Sequence, residues 1–239
     1  MNSLFNPSVT DYFLAYSSSH LVVLAILVIL AALIFAFKSN ISAHDGIQRT
    51  IKYTLLSALI VPETILYGWY SEEGLWDIQY TLPLELCSIS QILAIVMLIT
   101  RSQLLYQIVF FAGIGGALQA MLTPDLEYPF PHFRFFHFFI VHIAIILAPL
   151  YMTWVEKYRP TWKSIGIAMI FLNILVVTVG GIDYWLKANY MFLRHKPESA
   201  SLLDVLGPYP YYLVVEEGIA VCIFTIMYLP FLWRNKIVE

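Results

Sequence analysis

Hydrophobic and polar positions alternate along this chain in long blocks. Seven apolar runs fall at about 20–38, 51–70, 83–100, 104–123, 133–153, 163–184 and 210–232. A helix needs roughly 20 residues to cross a bilayer, and each run is near that length. The pattern predicts an all-α polytopic membrane protein of seven transmembrane helices, forming a single domain over residues 1–239. Only a turn around Arg101 and Ser102 separates the third and fourth runs, which predicts an antiparallel hairpin. No internal repeat is visible, and seven spans do not divide into equal halves. That counts against a transporter built from paired repeats.

Composition agrees with this reading. The chain is 60% hydrophobic and 12% charged, with a mean hydropathy of +0.75, whereas soluble domains are about a quarter charged. A net charge of -3 without a basic cluster excludes a nucleic-acid footprint. The two cysteines, Cys87 and Cys222, lie in separate apolar runs and not at metal-ligand spacing, so neither a disulfide framework nor a zinc site is indicated. Residues 1–19 lack Lys and Arg, so the first run reads as a retained span rather than a signal peptide.

Orientation follows from Lys and Arg placement. One set of helix ends carries nine: Lys38, Arg49, Lys52, Arg101, Lys157, Arg159, Lys163, Arg234 and Lys236. The other carries four: Arg134, Lys187, Arg194 and Lys196. The N-terminus is therefore expected outside and the C-terminus in the cytoplasm. The outer connections hold Glu72, Glu73, Asp77, Asp125, Glu127, Glu198 and Asp204.

Candidate chemistry gathers at the outer ends of the spans. Pro83 suits the first turn of the third helix, where a missing N–H costs nothing. Just inside follow Glu85, Cys87, Ser88, Ser90 and Gln91, with Cys87, Ser90 and Gln91 on one face at about 100° per residue. Glu63, Gln119, His142, Asp183, Glu216 and Glu217 fall toward the outer ends of other spans, and Asn173 near the middle of the sixth. Polar groups at that depth must pair with one another or face water. A polar pocket open to the outer leaflet is the expected consequence. The small-residue runs Ala112-Gly-Ile-Gly-Gly-Ala117 and Gly180-Gly181 predict close helix packing. The loop at residues 185–209 mixes aromatic and basic residues. It reads either as a lid or as an interfacial loop, with Arg194, His195 and Lys196, and Arg134 on the fifth span, facing lipid phosphates.

A thiol and an imidazole in one pocket suggest nucleophilic catalysis, in which a thiolate attacks a carbonyl and forms a thioester. His142 is the expected base because it lies deeper; His137 is about 140° around the helix from it. Glu216, Glu217 or Asp183 could orient His142, and Gln91 or Asn173 could donate to an oxyanion. A lone buried cysteine is nevertheless more often structural than reactive.

Five segments carry a resemblance. They are Leu82-Pro-Leu-Glu-Leu-Cys87, Gly116-Ala-Leu-Gln-Ala-Met-Leu-Thr-Pro-Asp125, Phe133-Arg-Phe-Phe-His-Phe-Phe-Ile-Val-His142, Asn189-Tyr-Met-Phe-Leu-Arg-His-Lys-Pro197 and Ser201-Leu-Leu-Asp-Val-Leu-Gly-Pro208. In them the chain resembles the YwaF-like family of bacterial integral membrane proteins. That family's animal relatives, the transmembrane protein 164 enzymes, are seven-pass acyltransferases acting on ether phospholipids. The resemblance implies a catalytic cysteine early in the third span and a histidine in the middle of the fifth, here Cys87 and His142. Two positions depart from the pattern. Glu85 stands where relatives often carry histidine, and His137 stands where an uncharged polar residue is expected.

The expected function is a membrane lipid acyltransferase or hydrolase of the bacterial cytoplasmic membrane, acting on a lipid or acyl-chain substrate. No cofactor motif accompanies it. The alternative is a non-enzymatic binder or transporter of a polar solute, using the acidic intramembrane cluster.

Overall fold

The computed structural model describes residues 4–8, 12–196 and 202–235. Residues 197–201 of the predicted lid, Glu198 among them, and Lys236 lie outside those residues. Nine α-helices run in order among the described residues: α1 Ser18–Ala36, α2 Lys38–Ala43, α3 Asp45–Glu72, α4 Leu86–Thr100, α5 Gln103–Ile108, α6 Ile114–Leu122, α7 Phe133–Trp154, α8 Trp162–Leu186 and α9 Tyr211–Asn235. A π turn at Val109–Gly113 joins α5 to α6 as one rod, and short 3-10 turns occupy Tyr190–Phe192 and Leu202–Leu206. All seven predicted apolar runs are helical.

Five of these rods are long and apolar enough to cross a membrane: Ser18–Ala36, Gln103–Leu122, Phe133–Trp154, Trp162–Leu186 and Tyr211–Leu232. The other two differ from expectation for physical reasons. α3 begins at Asp45 and carries Arg49, Lys52, Glu63 and Glu72 within its length. α4 has 15 residues, about 22 Å at 1.5 Å per residue. It starts at Leu86, so Pro83 lies ahead of the helix rather than in its first turn. A residue before proline is driven toward extended backbone. Leu84 N–H closes a tight turn over Pro83 on the Leu82 carbonyl at 2.8 Å, and Glu85 is an extended N-cap with φ -66° and ψ 148°.

Long rods consecutive in the chain run in opposite directions, which gives the bundle two ends. The Cys87 end collects the N-termini of α1, α4, α7 and α9. There buried His20 accepts from Tyr16 N–H at 2.8 Å and donates from Nε2 to the Met121 carbonyl at 2.8 Å. His132 caps α7 by accepting from Arg134 N–H at 3.1 Å, and burial pushes this imidazole below its ordinary range, which keeps the accepting nitrogen bare. At the Arg101 end, Ser42 Oγ bonds the Val155 carbonyl at 2.8 Å and Tyr158 Oη bonds the Arg101 carbonyl at 2.6 Å.

α7 is the axis of the bundle. It packs against α1, α3, α4 and α6, and its buried residues include Phe135, Phe139, Ile145 and Met152. In contrast, α1 presents Leu21, Val22, Val28 and Ile29 outward, and α8 presents Ile170, Ile174 and Val177. An apolar exterior of this extent suits a lipid environment and not water.

Glycines of the α5–α6 rod lie against neighbouring helices. A Cβ on Gly113 would sit 3.0 Å from Val109 Cγ1, 3.5 Å from Ile145 Cγ2 and 3.7 Å from Ser90 Cβ. One on Gly116 would sit 3.0 Å from Leu86 Cδ2. The second small-residue run behaves differently from expectation. Gly180 faces Leu193 Cδ1 at an ordinary 3.8 Å, and Gly181 has nothing within 4 Å. Overpacking costs about 1–3 kcal/mol. Gly116→Val is therefore expected to lower the thermal midpoint of the detergent-purified protein by that equivalent, while Gly181→Ala leaves it unchanged or higher. Equal responses of the two variants would show that the α4–α6 contact is not tight.

Candidate functional site

Cys87 is the second residue of α4, half-buried against the main core. Its sulfur makes no hydrogen bond among the described residues, so it is not joined directly to His142. No side chain caps α4, because the Glu85 carboxylate accepts instead from Met191 N–H at 3.1 Å. The first-turn N–H groups beside Cys87 therefore have no side-chain partner.

His142 is buried in α7, its ring 4.2 Å from that of Phe138. Nδ1 lies 2.6 Å from the Phe138 carbonyl. A carbonyl can only accept, so Nδ1 carries the hydrogen and, in the neutral ring, Nε2 carries the lone pair. The level of the two residues follows from the glycine contact. Ser90 and Ile145 both meet Gly113. Cys87 lies three residues before Ser90 and His142 three before Ile145, each one turn nearer the same end.

One turn beyond Cys87 on the same face, Gln91 enters a buried polar network. Its Nε2 donates to the Leu59 carbonyl at 2.6 Å and to Glu63 Oε2 at 3.3 Å. Glu63 Oε2 also accepts from His137 Nε2 at 2.9 Å. Arg134 Nη1 stands 3.4 Å from His137 Nδ1, and a guanidinium can only donate. Arg134, His137, Glu63 and Gln91 thus link α7, α3 and α4 in one consistent set of donors and acceptors. This network was missed as a unit. The signal available was that Glu63 and His137 are titratable groups at one depth, each needing a partner.

A second cluster fastens the 185–196 loop. Buried Asp183 accepts from Tyr190 N–H through Oδ1 at 3.0 Å, while its Oδ2 is buried without a partner among the described residues. Tyr190 Oη donates to the Ile78 carbonyl and accepts from Leu82 N–H, both at 2.9 Å. Burial pushes this phenol upward, so it stays a hydroxyl. Asn189 Oδ1 accepts from the N–H groups of Arg194 and His195. Beneath the loop, Leu175, Val179, Ala188 and Leu193 form a small second core with Leu82, Leu84 and Leu86.

The expected single chamber is therefore divided. Gln91 has its amide nitrogen committed. Asn173 lies exposed on α8, its Nδ2 turned back to the Met169 carbonyl at 3.0 Å, in a shallow recess of about 490 Å³ lined also by Ile170, Ile174 and Val177. Neither amide is left to serve an oxyanion beside Cys87. Glu85 is exposed apart from its bond to Met191. Glu216 and Glu217 are half-buried on α9, without a hydrogen bond or ion pair among the described residues. The four basic side chains expected to face headgroups are also dispersed. Arg134 turns to His137. Arg194 Nη1 donates to the Ala188 carbonyl at 3.2 Å, closing the C-terminus of α8. His195 is held by Asn189, and Lys196 Nζ lies 4.0 Å from Asp204.

The fold and these polar clusters define an all-helical, multi-pass membrane protein. The chain belongs to the TMEM164 family, which matches it over residues 15–228. An uncharacterized protein of Treponema pallidum (strain Nichols) is 25% identical over 238 residues, covering 93% of this chain and 91% of that protein. No solved structure matches it.

The Glu63–His137 contact yields a direct test. Groups sharing one network couple by about 0.5–3 kcal/mol. A double-mutant cycle of Glu63→Gln and His137→Ala, read by thermal unfolding, is expected to show coupling in that range. Effects that add within about 0.3 kcal/mol would mean that the two side chains do not act together.

Proposed function

We propose that this protein is a membrane-embedded lipid acyltransferase or hydrolase of the bacterial cytoplasmic membrane, working through a Cys87 thioester with His142 as general base. In this reading all seven rods cross the bilayer, with the N-terminus outside and the C-terminus in the cytoplasm. Arg49, Lys52, Arg101, Lys157, Arg159 and Lys163 gather at the Arg101 end, which supports that orientation. Membership in the TMEM164 family supports the activity at the level of the family alone.

The observation that carries the reading is the fixed tautomer of His142. Its Nδ1–H is bound to the Phe138 carbonyl at 2.6 Å, which leaves Nε2 as the basic atom, the arrangement a general base requires. Nε2 takes the proton from Cys87 Sγ, and the thiolate adds to the ester carbonyl of a lipid. The tetrahedral oxyanion forms beside the uncapped N–H groups at the start of α4. As it collapses, the carbon–oxygen bond to the lysolipid breaks and the leaving oxygen takes the proton from Nε2. An acceptor hydroxyl or water then attacks the thioester, giving its proton to His142, which returns it to sulfur. The resting pair is not hydrogen-bonded, so substrate binding has to bring Sγ and Nε2 within about 3.2 Å.

A solute binder built on clustered acids has less support. Glu63, Glu85 and Asp183 each accept from a different partner.

Electrophilic acyl probes test the proposal in a Cys222→Ser background. Hydroxylamine-sensitive labelling is expected at Cys87 and absent in folded Cys87→Ala. His142→Gln should slow acyl transfer about 10²–10⁴-fold. Equal labelling of folded Cys87→Ala and its parent would remove Cys87 as the nucleophile.

A further inference from the structure

The Arg101 end holds a polar cleft of about 360 Å³ between the start of α3, the end of α4 and Tyr151 of α7. Arg49, Lys52 and Arg101 line it, with Asp45 as the acidic residue at its wall. Arg49 and Lys52 are three residues apart on one helix face, where like charges repel. Neither forms an ion pair among the described residues. Arg101 is built in place. Its backbone is left-handed, with φ 56°, and its carbonyl accepts from Tyr158 Oη at 2.6 Å. Glu156 holds its Nε at 3.2 Å and its Nη2 at 3.3 Å, which leaves Nη1 without a partner among the described residues. Tyr151 is buried at the cleft's back and donates to the Gln48 carbonyl at 3.4 Å.

Arg49, Lys52 and Arg101 outnumber the two carboxylates beside them, Asp45 at the wall and Glu156 on Arg101, so the cleft keeps a net positive field that favours an anion. A guanidinium fixed by its own carboxylate still offers a planar donor edge, the geometry that suits a phosphate. We infer that this cleft binds a phosphate group, contributed either by an anionic lipid headgroup at that face or by a soluble phosphate ester. The site lies at the opposite end of the bundle from Cys87 and does not depend on the acyl-transfer reading. Arg49 and Lys52 grip the phosphate oxygens, and Arg101 closes the cleft from α4.

The test uses the full chain in detergent, titrated with phosphatidylglycerol, phosphatidylcholine or glycerol phosphate, with the thermal midpoint as readout. Phosphatidylglycerol is expected to raise the midpoint more than phosphatidylcholine does, with an effect that weakens as salt rises. A basic residue near a membrane surface contributes about five-fold to anionic lipid binding. Arg49→Gln with Lys52→Gln should therefore shift the titration about 25-fold, and Arg49→Lys with Lys52→Arg should largely restore it. Stabilisation by glycerol phosphate alone would assign the soluble source. Lys157→Gln with Lys163→Gln removes the same charge at the same end, outside the cleft, and should shift the titration far less. Equal shifts from the two double variants, or no response to either phosphate source, would overturn the inference.

Discussion

The Cys87 end of the molecule depends on Ser90 of α4 and Ile145 of α7 both packing on Gly113, where no side chain stands between them. A side chain there would press on Val109 at 3.0 Å and stand within van der Waals reach of Ser90 and Ile145. Without it, α4 and α7 both close on the π turn of the α5–α6 rod. Their shared contact with Gly113 puts Ser90 and Ile145 at one level, and Cys87 and His142 each one turn nearer the same end. Leu86 seats on Gly116 one turn further along the same rod, so the start of α4 is fixed at two points. In lipid, where apolar surfaces gain little by meeting each other, close packing of small residues is a main source of helix association.

Polar groups are placed by a second constraint: in an apolar bundle each must find a partner. The Arg134–His137–Glu63–Gln91 network meets this by crossing three helices. The Asp183–Tyr190 contact meets it by fastening the loop after α8 onto residues 78–86. The same loop receives the Glu85 carboxylate, and the first turn of α4 is left uncapped beside the thiol. Structure and proposed chemistry thus meet at one position, where the carboxylate of the N-cap residue is engaged with the loop and not with the helix.

The helical architecture was legible because blocks of apolar residues near membrane length leave little choice of element. Gly113 and Gly116 were legible as packing residues because a run of small residues inside an apolar rod favours close approach, but Gly180 and Gly181 show that such a run does not say which glycines meet a neighbour. The start of α4 was misplaced because Pro83 suits a helix's first turn as well as an extended approach to it, and only the contacts with Tyr190 decide between them. The division of the polar residues was not legible. Depth alone places Asn173 and Gln91 beside Cys87, but depth does not say which way a residue faces. Asn173 turns outward and satisfies itself on its own helix, and Gln91 is consumed by Leu59 and Glu63. The Glu63–His137 pairing needed knowledge of which helices are neighbours. That information lies in the tertiary packing, not in the periodicity of either segment.

Acyl transfer as proposed requires Cys87 and His142, level on two helices that both touch Gly113, to stand near enough to act on one acyl group. Intramolecular cross-linking tests it most directly. In a Cys222→Ser background, His142→Cys supplies a second thiol, and a short bifunctional thiol reagent is added to the detergent-purified protein. A bridged peptide pair joining residues 87 and 142 is expected, weakened when Gly113 is replaced by a larger residue. Two thiols that each react singly, with no bridge between them, would contradict it.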